Sequence, residues 1–152
     1  MQIRALSLLA VMVGILLGAG GYTFHFADGL AYLGNDPASC KNCHIMNDHY
    51  DSWLQSSHHD VATCNDCHTP HALVPKLIAK ADNGWNHSVK FTLGNYQLPL
   101  RIREINKRRL QHNCVECHAE MVSEISWRQE PEMHQELDCT RCHAGVGHGD
   151  RM

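Results

Sequence analysis

Cys40-Lys41-Asn42-Cys43-His44-Ile45-Met46 decides how the rest of the chain is read. Two cysteines three positions apart, with a histidine directly after the second, form the C-x-x-C-H signature of covalent haem attachment. The unit recurs at Cys64/Cys67/His68, Cys114/Cys117/His118 and Cys139/Cys142/His143, and the four units use all eight cysteines of the 152-residue chain. Paired Cys/His zinc sites are the alternative for such residues, but they give no reason for a histidine after every second cysteine. Four covalently bound c haems are therefore expected, one on each cysteine pair.

The histidine content supports this. Haem iron takes axial histidine or methionine, and the chain holds thirteen histidines. Nine lie outside the motifs: His25, His49, His58, His59, His71, His87, His112, His134 and His148. That pool is large enough for the second ligands. Candidates are His59, five residues before Cys64, and His148, five after His143 in the glycine-rich stretch GVGHGD. The first motif alone has a methionine two places beyond its histidine. Met46 and His44 compete for one face of that iron, and sulfur ligation raises haem potential relative to imidazole. Spacing alone leaves Met46 either a ligand or a packing residue.

Residues 5–24, ALSLLAVMVGILLGAGGYTF, carry no charged side chain. Twenty helical residues at 1.5 Å each reach across a hydrocarbon core of about 30 Å. Arg4 precedes the segment, while Asp28 and Asp36 follow it. The positive-inside bias then keeps the N-terminus cytoplasmic and sends the remainder outside. The run is long for a cleaved signal peptide and lacks a clean A-x-A site, so a retained anchor is expected. Residues 1–26 are read as a single-pass helix in a bacterial inner membrane, and 27–152 as a compact periplasmic tetrahaem domain. Tyr22, Phe24, Phe26 and Tyr32 fall where an interfacial aromatic belt belongs.

The soluble part is polar, and roughly 125 residues make a marginal polypeptide core without metals or cross-links. Four porphyrins would supply the apolar bulk. The fold class expected is a multihaem cytochrome c, mainly α with much irregular structure. The motifs begin 24, 50 and 25 residues apart, two close pairs divided by a connector. A helix is expected to begin near Met46 and carry His58 and His59 towards the second motif, one of them facing inward. In the connector, Leu73-Val74-Pro75-Lys76-Leu77-Ile78-Ala79-Lys80 suits a membrane-surface element, its lysines snorkelling to lipid headgroups. Lys76 and Lys80 share one helical face. Residues 101–109 hold five basic side chains and one acidic one. They suit either a solvated helix or a contact with phospholipid or partner, and an exported location excludes nucleic acid.

Four C-x-x-C-H units, one N-terminal apolar helix and C-x-x-C-H-x-M at the first unit resemble the NapC/NirT family of membrane-anchored tetrahaem cytochromes c. The compact length is similar to its small, quinol-oxidising subunits of cytochrome c nitrite reductase. The resemblance covers essentially the whole chain, including Cys64-Asn-Asp-Cys67-His68-Thr-Pro-His71. It implies that Met46, not His44, ligates haem 1, whose open face beside the membrane is where menaquinol is oxidised. It places Lys80 at the quinol pocket, with Lys76 as a neighbour. Haem 2 takes His68 and a lysine from the catalytic partner. Haem 3 takes His118 and His148, and haem 4 takes His143 and His59. Where the best-known member of that family has an aspartate over haem 1, this chain has His87, with Asp82 five residues earlier. Either is a candidate proton acceptor, His87 by virtue of a near-neutral pKa, while Asp82 alternatively caps a helix.

The implied function is a menaquinol dehydrogenase that passes electrons to a periplasmic nitrite-reducing subunit and has no nitrite site of its own. The rivals are a NapC-type donor to a nitrate or other reductase, and an anchored relay without a quinol site. An independent nitrite or hydroxylamine reductase would need an open polar haem pocket with catalytic residues of its own.

Overall fold

The computed structural model describes residues 2–126 and 138–149. It divides into two compact units, Met1–Gly34 and Asn35–Met152. No strand occurs among the described residues, so the fold is helical and irregular, as the motifs and composition lead one to expect.

The first unit is built on α1, Gln2–Phe26. Its apolar window has a mean hydropathy of 2.1, and its 25 residues are long enough to cross a bilayer. Polar side chains within it are satisfied locally: the Ser7 and Thr23 hydroxyls donate to the carbonyls of Ile3 (3.0 Å) and Ala19 (2.8 Å). The helix stops at a sharp turn. Asp28 adopts a left-handed conformation, φ 51°, which Asp tolerates better than most residues. Gly29 follows because a Cβ there would overlap the Phe24 ring. Tyr22 and Phe26 stack at this end, ring centroids 6.1 Å apart.

The second unit begins with 3-10 turns at Pro37–Asn42 and His44–Met46. Six α-helices follow among the described residues: α2 (Asn47–Leu54), α3 (Cys64–His68), α4 (Leu73–Thr92), α5 (Glu104–Cys117), α6 (Ala119–Ser126) and α7 (Cys139–Cys142). The helix expected to carry His58 and His59 ends at Leu54; the two histidines lie in the turns beyond it. Trp53 closes that loop by donating from its indole N–H to the Ala62 carbonyl, 3.0 Å. The short α3 is held by a reciprocal cap between Thr63 and Asp66, which satisfies donors its own length leaves unpaired.

The polypeptide packs almost no core of its own. Among the described residues Ala79 is the only buried apolar side chain, and the other buried residues are Thr69 and Asn113. Cohesion comes instead from polar ties between helices. In α4, Asp82 pairs with Arg103 and, at 3.6 Å, with Arg109 of α5. Asn83 Oδ1 accepts from Arg103 (3.1 Å) and Asn106 (2.8 Å). Lys107 pairs with Asp138 at 2.5 Å, joining α5 to the start of α7. The basic stretch 101–109 is thus partly spent inside the unit, a use that its composition did not distinguish from a solvated face.

Candidate functional site

Three of the four attachment motifs sit on α-helix. Cys64–His68 is α3, Cys114–Cys117 ends α5 with His118 as its cap, and Cys139–Cys142 is α7 with His143 as its cap. Helical spacing puts cysteines three apart on one face, the disposition needed to grip one edge of a planar group. The following histidine continues each segment: the N–H groups of His118 and His143 donate to the carbonyls of Cys114 (3.0 Å) and Cys139 (2.9 Å).

The first motif is built otherwise. Its 3-10 turn ends at Asn42, Cys43 is extended at φ −93° and ψ 109°, and a second turn starts at His44. That break removes His44 from helical register with Cys40 and Cys43. The Met46 N–H donates to the Cys43 carbonyl at 2.8 Å, folding the methionine back towards its cysteines. His44 is exposed and Met46 half-buried, but His118 and His143 are exposed too, so the backbone break rather than exposure sets this site apart.

The motifs adjoin in chain order. Cys40 and Cys64 lie within side-chain contact of each other, with the Lys80 amine nearby. Cys67 faces Cys117, and Cys114 faces Cys139. Gln111 completes the last link: its amide donates to Cys139 Sγ (3.1 Å) while its carbonyl accepts from the Cys139 N–H (2.9 Å). Between the second and third motifs the tie is the buried Asn113, one residue before Cys114. Its amide nitrogen donates to the carbonyls of Asp66 (2.9 Å), Cys67 (3.0 Å) and Thr69 (2.8 Å).

The candidate quinol-site residues all lie on α4. Lys80 lies near Cys40 of the first motif. Burial and Lys76 lower the lysine's own pKa, with Cys40 acting in the opposite direction. Asp82 is mid-helix, so it caps nothing. Arg103 first, then Arg109, hold its carboxyl below the usual range. His87 has its pKa lowered by the surrounding protein and by Arg103 and Lys90, against a smaller upward effect of Asp82. The shift favours the uncharged ring and makes it a weaker base than a free imidazole.

The spare histidines fall into definite places. His118 has the His58 ring 6.1 Å away, centroid to centroid. His68 has the His148 ring at 5.9 Å, and His148 has His49 at 5.2 Å. His148 Nδ1 donates to the His49 carbonyl at 3.1 Å. His59 packs on Trp53 at 4.8 Å and pairs with Asp60 at 3.1 Å. Burial pushes the His68 imidazole down to about 4, with His148 and His49 adding to the effect. His134 lies outside the described residues. His58, His49 and Asn113 were not distinguished as site residues by the motifs; only their contacts across 44 to 99 positions of sequence reveal them.

The donor set fits c-type haem. Cysteine pairs at one-turn spacing stand beside histidines, and the polypeptide has little apolar core. No group of three or more His, Cys, Asp or Glu residues suited to a bare metal ion occurs among the described residues.

Comparison with known proteins agrees. Residues 1–152 match the NapC/NirT cytochrome c family, N-terminal region. Cytochrome c-type protein NrfH of Wolinella succinogenes is 42% identical over 147 residues, covering 91% of this chain and 83% of that one. Cytochrome c nitrite reductase subunit NrfH of Nitratidesulfovibrio vulgaris is 34% identical, covering 80% and 72%. Cytochrome c-type protein NapC of Escherichia coli is 29% identical, covering 95% and 85%. A chain in the crystal structure of the cytochrome c nitrite reductase NrfHA complex bound to the HQNO inhibitor superimposes with a TM-score of 0.63 at 31% identity, over 92% of this chain and 90% of that one. The chain belongs to the NapC/NirT family of cytochromes c, as an electron-transfer protein with multiple covalently bound haems and an N-terminal helix able to span a membrane.

Proposed function

We propose that this protein is a menaquinol dehydrogenase, anchored by residues 1–26, whose periplasmic domain of residues 27–152 passes electrons through four c haems to the catalytic subunit of a cytochrome c nitrite reductase. The observation that carries the proposal is the pairing of the atypical first motif with Lys80, an amine of the amphipathic α4. When bound, each haem supplies a one-electron couple. The chain's own residues do the rest.

Lys80 Nζ is placed to hold a quinol hydroxyl beside the first motif, and Lys76 one turn earlier supports the positive field. A lowered amine pKa raises the share of neutral amine, the form that can accept a quinol proton. The His87 ring is favoured in its uncharged form, in which a ring nitrogen can accept a quinol proton. The carboxylate of Asp82 is occupied by Arg103 and Arg109, so its part is to fix α4 against α5 rather than to take protons. Leu73, Val74, Ile78 and Trp85 are strongly exposed along α4. Such a surface suits contact with lipid, where a menaquinol tail would also lie.

Met46 would hold the first haem and His68, with a lysine from the catalytic partner, the second. His118 with His148 and His143 with His59 follow the family pattern. The ring separations favour a second reading of the spare histidines. Two imidazoles on one metal have centroids about 6 Å apart, from two bonds of about 2 Å and two ring radii. His58–His118 and His68–His148 both match this separation. Low-temperature EPR of His58→Ala and His59→Ala will tell which one contributes a low-spin signal.

Partner choice rests on similarity: NrfH relatives match at 42% and 34%, NapC at 29%. The functional test is reduction of the purified four-haem protein by a menaquinol analogue in mild detergent. Rapid reduction that Met46→His slows is expected. A wild type that quinol does not reduce would leave an anchored relay as the better account.

A further inference from the structure

His71 lies outside the proposed axial set, yet it touches two haem motifs at once. Its Nε2 is 3.0 Å from the Asp66 carbonyl, inside the second motif. Its Nδ1 is 3.0 Å from Glu116 Oε2, inside the third. The carbonyl can only accept, so Nε2 carries a hydrogen and donates it. Nδ1 then meets a carboxylate, and one further proton is needed to complete that contact, on the ring or on Glu116. The arrangement is therefore a two-sided bridge, and an ordinary surface histidine has no need of it.

The same Asp66 carbonyl also accepts from Asn113, which reaches back from α5 to the second motif. One side chain thus crosses from the second motif's arm to the third motif, and another crosses in the opposite direction. The fourth motif is tied to α5 differently, by Gln111 to Cys139 and Lys107 to Asp138. His112 lies near the outer edge, 3.8 Å from Glu116, and Lys76 acts on Asp66 from α4.

We infer that His71 is a positioning residue: through Asp66 and Glu116 it clamps the second and third attachment motifs together and so fixes the relation between the two haems they hold. The inference rests on reading the motifs as haem sites. Haem potentials respond to hydrogen bonds and charge around the site, so the clamp should be visible in the redox titration as well as in stability.

The test uses the full-length four-haem protein in detergent, titrated potentiometrically while haem absorbance is followed. The variants are His71→Phe, which keeps a ring and loses both bonds, His71→Gln, which retains an N–H donor, Glu116→Ala and the double variant His71→Phe/Glu116→Ala. The two single losses should move the same two of the four redox waves. The double variant should move them no further than the larger single change, since partners in one contact are not additive. His71→Gln should lie between wild type and His71→Phe. Unmoved waves, additive shifts, or equal behaviour of Gln and Phe would each overturn the clamp. Should His71→Phe fail to assemble, the cycle built on His71→Gln and Glu116→Ala decides by the same criteria. Haem content of the wild type separates the two levels: fewer than four haems breaks the proposed function, whereas a failed clamp leaves that count intact.

Discussion

The second and third attachment motifs and the first motif solve the same chemical problem in opposite ways. The former are helical and tied by Asn113, His71 and Glu116 across α3 and α5. The latter is broken at Cys43 into two 3-10 turns, with a single lysine of α4 nearby. A relay between haems needs fixed separation, and rigid helices with buried hydrogen bonds provide it. A site that must admit and release a substrate needs room beside one face of its haem, and that is the task proposed for the irregular first motif beside amphipathic α4. The difference between the regions therefore follows their proposed tasks.

The change expected to damage this contrast most is Asn113→Leu. It removes the donor shared by the Cys67 and Thr69 carbonyls, while the Asp66 carbonyl keeps the His71 N–H, and unsatisfied buried groups cost about 1–3 kcal/mol each. Leucine also removes a buried amide oxygen that has no partner among the described residues, which offsets part of the loss. A net destabilisation of about 2–3 kcal/mol is expected, measured as a fall in thermal midpoint of the haem-loaded protein. Met46→Ala, at the open site, should change that midpoint far less. Equal losses at the two sites would dissolve the comparison.

Next in size is a kinetic effect at the open site. Met46→His replaces sulfur by imidazole, which lowers haem potential, so menaquinol-analogue reduction should slow at least about tenfold, equivalent to about 1.4 kcal/mol in the barrier. Lys80→Ala should slow reduction by quinol but leave reduction by dithionite unchanged. Stopped-flow traces with both reductants distinguish these results, and slowing with dithionite as well would show general damage.

Much of this was legible in the sequence. The C-x-x-C-H repeat, the uncharged run of residues 5–24 and Met46 prescribed a multihaem, helical, anchored chain, because each is a local signal whose chemistry is carried by neighbouring residues. What was not legible depends on distant partners. Nothing near Asp82 says that Arg103 will occupy it, 21 residues later. Nothing near Asn113 says that it faces carbonyls more than 40 positions earlier. The spare histidines show the same limit: spacing from a motif nominated His59, while the fold sets its neighbour His58 opposite His118. Adjacent residues in a turn point different ways, and only the packing decides which one meets the site.

The smallest effect concerns the brace between α4 and α5. Arg103 and Arg109 hold the Asp82 carboxyl below its ordinary value of 3.8, so the folded protein binds the Asp82 proton less readily than the unfolded chain. The stabilisation this provides is fully present above about pH 4 and is lost as pH falls through the lowered folded value. Arg103→Ala should therefore reduce the thermal midpoint modestly at pH 7, and the difference from wild type should shrink steadily as the solution is acidified below pH 4. A gap that persists unchanged in acid would assign the loss to the packing of the Arg103 side chain instead. Because Lys80 and His87 flank Asp82 on the same helix, the variant also probes the open site. If the brace positions α4, quinol reduction will slow at pH 7 while the redox waves of the clamped second and third haems stay where they were. Movement of those waves instead would show that the two regions are mechanically one.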